Sequence, residues 1–147
     1  MNERDQFEQE AARRMAIEKV RQFPVVLSLI EKCWQRLGIA KIKEIDRKPE
    51  DYPEVGQMRN AIEEARGIFT QSSLDLLLPS LSDATQSAQH LRSEWQKIEG
   101  ALKAINSFYS AFVKDRPVRM RRDGFTPLIT KKVEELSQLW LALEPLI

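Results

Sequence analysis

The stretch ATQSAQHLRSEWQKIEGALKAINSFYSAF, Ala84 to Phe112, decides the fold. Its apolar residues Ala84, Ala88, Leu91, Trp95, Ile98, Leu102, Ile105, Tyr109 and Phe112 recur at spacings of 4, 3, 4, 3, 4, 3, 4 and 3. That is an unbroken heptad register, the pattern of a helix with one apolar face. Ser80 or Ser82 is available as a cap, and a helix from about 80 to 114 would measure about 50 Å at 1.5 Å per residue. The register changes character at Gly100. Before it the flanking positions are polar (Arg92, Glu94, Lys97, Glu99); after it Ala101, Ala104, Phe108, Ala111 and Val113 widen the stripe. A two-helix seam suits the first half, and the second half predicts several neighbours.

Working outward, 115–126 holds Pro117 and Gly124 and is predicted to be a loop. Thr126 then caps a final helix with Pro127 as its first residue. Ile129, Val133, Leu136, Trp140, Leu143 and Ile147 give it the same 4, 3, 4, 3, 4 period. Upstream, Val55, Met58, Ile62, Ala65 and Phe69 describe another helix, with Thr70 to Ser73 ending it and capping a short Leu-rich turn at 74–78. Val26, Ile30, Cys33 and Leu37 mark a helix that Gly38 is placed to end. Residues 3–22 are rich in Glu, Gln, Ala and Arg, with Phe7, Ala11, Met15, Ile17 and Val20 as their apolar side. Residues 39–53 carry Pro49 and Pro53 and are predicted to be a connection. The expected fold is all-α: one domain over 1–147, a bundle of about five helices built around the long helix and the C-terminal amphipathic helix.

Composition bounds the chemistry. The chain has 147 residues, 42% of them hydrophobic, and 23 Lys and Arg against 22 Asp and Glu give a net charge of +1. No global charge field points to nucleic acid or a membrane surface. One cysteine forms no internal disulfide, and one histidine builds no histidine-based metal site. The N-terminal stretch Met1 to Gln6 is charged and lacks an apolar signal region, and the longest apolar run, Leu139 to Leu143, is far short of the roughly 20 residues a membrane span needs. A cytoplasmic protein with no membrane association is the expectation.

Each candidate for chemistry has a plainer explanation. His90 and Glu94, four residues apart, meet on one helix face, but no third ligand accompanies them, so no metal is expected. Cys33 lies on an apolar stripe, where a thiol behaves as a small hydrophobe without an activating base. The pairs Glu63-Glu64 and Glu134-Glu135 point about 100° apart on a helix and lack inward companions three or four residues away. No phosphate-cradling glycine loop and no serine elbow occurs. No catalytic residue, cofactor or small-molecule substrate is therefore expected, and the chain is read as a non-enzyme. Trp34, Trp95 and Trp140 fall on or beside apolar stripes and are assigned to the core. Trp95, in the half of the long helix with polar flanks, is also the candidate anchor of a partner interface with Leu91 and Ile98.

One segment departs from this bland picture. Lys114, Arg116, Arg119, Arg121 and Arg122 crowd nine positions, and 114–132 carries seven basic against two acidic residues, a net +5. Phe125 follows as a ring able to stack on a base. A second cluster, Arg36, Lys41, Lys43, Arg47 and Lys48, extends this patch if the fold brings it near. Residues 51–80 and 133–147 each carry a net −3 and are rival partners within the chain. Two functions are expected in order. The first is a helical protein–protein interaction module that docks onto partner proteins or oligomerises, in coiled-coil fashion, with copies of itself. The second is an accessory nucleic-acid binder that uses the 114–122 loop for sequence-independent phosphate contacts.

Overall fold

The heptad stretch forms the longest helix among the described residues. The computed structural model describes residues 3–39, 53–78, 86–114 and 118–147; the side chains at 37–39, 54, 112–114 and 118–127 are not among those described. Six α-helices occur among these residues: α1 Glu3–Arg21, α2 Phe23–Ile39, α3 Pro53–Ile68, α4 Gln71–Leu77, α5 Gln86–Lys114 and α6 Val118–Leu143, with a terminal 3-10 turn at Glu144–Leu146. No strand occurs among the described residues. The fold is an all-α bundle, as the hydrophobic periodicity predicts.

Four helices make the bundle proper. α5 packs along α6, α6 along α2, α2 along α3 and α3 along α5, closing a ring. Their directions follow from side-chain contacts. Phe23 at the start of α2 meets both Phe69, just beyond α3, and Trp140 near the end of α6, while Phe69 meets Trp95 in the first half of α5. At the opposite end the Tyr109 hydroxyl, late in α5, donates to the backbone carbonyl of Val55, early in α3. Each helix therefore runs antiparallel to both of its neighbours in the ring, an up-down-up-down arrangement.

The predicted stripes are the core. Ala88, Leu91, Trp95, Ile98, Leu102, Ile105 and Tyr109 of α5 are buried, as are Val55, Met58, Ile62 and Ala65 of α3, Phe69 beyond it, and Ile129, Val133, Leu136, Trp140 and Leu143 of α6. Fully burying one such Leu, Ile or Phe contributes about 1.5–3 kcal/mol, so these aligned faces dominate the stability of the bundle. Ala104, Phe108 and Ala111 are half-buried, in keeping with the widened second half of α5. Thr70 caps α4, its hydroxyl accepting from the Ser73 backbone N–H at 3.1 Å.

One boundary differs from expectation. The C-terminal helix begins at Val118, directly after Pro117, and not at Pro127. A proline just ahead of a helix suits its entry, and Arg119, Met120, Arg121 and Arg122 are good helix formers. Gly124 and Pro127 therefore lie inside α6, where Pro127 withholds one backbone donor without ending the helix. The long helix is described from Gln86, about 43 Å to Lys114. Ala84 and its candidate caps Ser80 and Ser82 lie outside the described residues.

Candidate interaction surface

Trp95, Leu91 and Ile98 are not an exposed anchor. Trp95 is 0% exposed, and Leu91 and Ile98 are buried with it. The described part of the heptad seam, Ala88 to Tyr109, is used up inside the chain. Phe69 closes on the Trp95 ring with centroids 4.7 Å apart, and α5 packs against both α6 and α3, so the polar flanks of the first half do not mark an open face. The Trp95 Nε1 is buried and has no hydrogen-bond acceptor among the described residues. Next to it Glu94, buried despite its charge, accepts from Lys97 Nζ at 3.0 Å, with His90 Nε2 at 3.7 Å from the same oxygen. The i, i+4 spacing of His90 and Glu94 does bring them together, as expected. No cluster of three His, Cys, Asp or Glu residues able to hold a metal occurs among the described residues.

The remaining candidates for chemistry do not converge. Cys33 is buried, and that burial pushes its thiol up in pKa against the opposing pull of Arg36, which leaves it a poor nucleophile. Glu63, Glu64, Glu134 and Glu135 are all exposed, and Glu135 pairs with Lys132 at 2.8 Å on the surface of α6. A groove between the end of α3 and the middle of α5 is lined by Arg66, Gln71, Glu99 and Lys103 over Phe69 and Leu102. Its charges are of both signs, and it offers no nucleophile paired with a base.

Exposure of a different kind appears on α1. Its packed face consists of Ala16 and Val20, with Asp5, Gln9 and Ala12 bordering a shallow groove beside Leu76 of α4. On the other side Phe7 is 71% exposed and Met15 is 69% exposed. Phe7, Ala11 and Met15 are four residues apart, which turns them only about 40° per step around the helix and keeps them on one face. The apolar side expected for residues 3–22 is thus two sides. The smaller residues pack inward, and the two largest point away from the bundle. Charged residues flank the outer stripe: Arg4, Glu8, Arg14 and Glu18 are all exposed, with Arg4 Nε 3.4 Å from Glu8 Oε1.

The basic segment lies at the end of the bundle away from the aromatic cluster. Lys114 ends α5, and Arg119, Arg121, Arg122 and Phe125 stand on the first turns of α6, so this part of the expected loop is helical. Arg116 lies outside the described residues, and the side chains of the other five are not among those described. The second basic cluster begins on α2 with Arg36. The rest of it falls within 40–52, outside the described residues, but the helix ends that flank this stretch are described. α2 ends, and α3 starts, at the same end of the bundle where α5 gives way to α6.

No helix among the described residues is long and apolar enough to cross a membrane. Comparison with protein families, curated proteins and solved structures finds nothing that matches this chain.

Proposed function

We propose that this protein is a non-enzymatic interaction module that presents α1 to a protein partner. The single observation that carries this reading is the pair of outward side chains Phe7 and Met15, with half-buried Ala11 between them, on a helix whose opposite face is already packed. Isolated exposed hydrophobes are ordinary on protein surfaces, but large ones repeated at helical spacing form the kind of ridge that lies in a groove or beside another helix. The charged residues along both edges supply the polar rim such contacts use. Affinity purification from the native cell tests the reading, with wild type compared with Phe7→Glu/Met15→Glu. Specific partners retained by wild type are expected to be absent from the double variant. An identical bound set, together with a wild type that does not self-associate, sinks the reading.

A second reading, sequence-independent nucleic-acid binding, is favoured by one observation. The topology places the ends flanking both basic clusters at the same end of the bundle. Fluorescence anisotropy with a labelled oligonucleotide at rising salt is the test. Binding should weaken steeply with salt, and alanine at Arg119, Arg121 and Arg122 should flatten that slope by about one for each arginine that neutralises a phosphate. No binding at low salt ends this second reading.

A further inference from the structure

We propose that α1 and α4 form one cooperative unit that opens from the bundle while the four-helix ring stays folded. The opening is a conformational device, because it uncovers the inner face of α1 that the closed molecule hides.

The ring of α2, α3, α5 and α6 closes on itself and includes neither α1 nor α4. Among the described helices α4 packs chiefly on α1, and α1 packs more on α4 than on α2, its neighbour in the chain. The grip of α1 is thin. Of its 19 residues only Ala16 and Val20 are buried, Ala11, Ala12 and Ile17 are half-buried, and Glu3 to Glu10 are exposed throughout. α4 has seven residues, far below the roughly 12–15 that hold a helix in water without neighbours, so it depends on what packs against it. Few buried apolar side chains and a long exposed stretch mark a segment that opens below the free energy of global unfolding. Each helix loses its main neighbour when the other departs, which makes the two departures one event.

The opening has a structural limit. α1 joins the ring beside Phe23, α4 joins it beside Phe69, and these two rings meet edge-on at 4.8 Å. Phe23 also meets Trp140 and Phe69 meets Trp95, so the aromatic cluster ties both attachment points to α5 and α6. Opening exposes Ala16, Val20, Leu74 and Leu77 and stops at the two phenylalanines. Unfolding the ring exposes in addition three tryptophans and the apolar faces of four long helices, and costs correspondingly more.

Ala16 and Val20 reach another molecule only from the open state. A ligand of that face binds with its affinity lowered by the open fraction, so the closed unit is a gate on this side of α1. Phe7 and Met15 are reachable in both states, and the docking reading of the outer side stands or falls separately.

Native-state hydrogen exchange, followed by NMR on the full-length protein in low urea, reads each helix by itself. The amides of α4 and of the second half of α1 are expected to share one opening free energy and one urea dependence. Both should lie below those of the amides around Leu102 and Ile105 in α5. Leu77→Ala should speed exchange in α1 at least about tenfold, although Leu77 lies on α4. The milder Ala16→Gly, on α1, should speed exchange in α4 about fivefold, the weight of a glycine inside a helix. Exchange around Leu102 should be unchanged in both variants. The proposal is overturned if α1 exchanges alone while α4 keeps pace with α5, or if all helices share the free energy of global unfolding. It is equally overturned if neither substitution is felt across the α1–α4 contact, or if either one speeds exchange in α5.

Discussion

The phenol of Tyr109 ties the late turns of α5 to the first turn of α3 through its donation to the Val55 carbonyl. Its pKa is pushed up to about 12, first by burial, with Arg59 pulling it down and Glu63 adding to the rise. The folded protein therefore holds this proton after an unfolded chain, near the ordinary value of about 10, has released it. Stability from this source is complete below about pH 10 and falls as pH rises from about 10 to 12. Urea midpoints measured at pH 8, 10 and 11.5 should fall across that window, and Tyr109→Phe should flatten the fall while costing about 1 kcal/mol at pH 8. At this scale the sequence is informative about burial and weak about exceptions. Tyr109, Cys33 and the three tryptophans are buried where the periodicity places them. Glu94 is not legible in the same way. It belongs by type to a polar flank, and only its position beside Trp95 in the assembled bundle explains why it is covered.

Among the elements, α5 is the most legible because seven consecutive heptad positions, Ala88 to Tyr109, all face one way. The start of α6 is hidden for the opposite reason. Pro117, Gly124 and Pro127 are the residues that most often end helices, and one-dimensional punctuation cannot distinguish a proline that stops a helix from one carried within it. α1 misleads through size. Phe7 and Met15 are its bulkiest apolar residues and invite assignment to the core, yet the fold packs Ala16 and Val20. The two faces of α1 should respond differently to charge. Val20→Asp places an unpaired carboxylate in the core and should lower the urea midpoint by an amount equivalent to several kcal/mol. Phe7→Glu/Met15→Glu alters exposed positions and should leave stability within about 0.5 kcal/mol. Equal losses from the two would show that the outer face is packed within the chain.

For the whole molecule, the ring of antiparallel helices depends on contacts between residues far apart in the chain, such as Phe23 with Trp140, which no local period encodes. The shared period of α5 and α6 permits an antiparallel run, but it is Trp140 meeting Phe23 at one end of the bundle and Tyr109 meeting Val55 at the other that fix it. Phe69 joins three helices, meeting Phe23 edge-on at 4.8 Å and Trp95 at 4.7 Å. Phe69→Ala should cost about 3–5 kcal/mol and lower the transition seen by tryptophan fluorescence and by far-ultraviolet circular dichroism together. A fluorescence transition that moves alone would mean that the aromatic end unfolds separately from the rest. The joint between α1 and α2 has a wider consequence. The helical run is interrupted only at Gln22, whose carbonyl accepts from both Val25 and Val26, next to Pro24 with no donor of its own. α1 is thus a lever arm with its pivot in three residues. A change of about 10° at that pivot sweeps the tip of the arm through about 5 Å, close to one helical turn. Residues 22–24 never touch the outer stripe, yet they aim it.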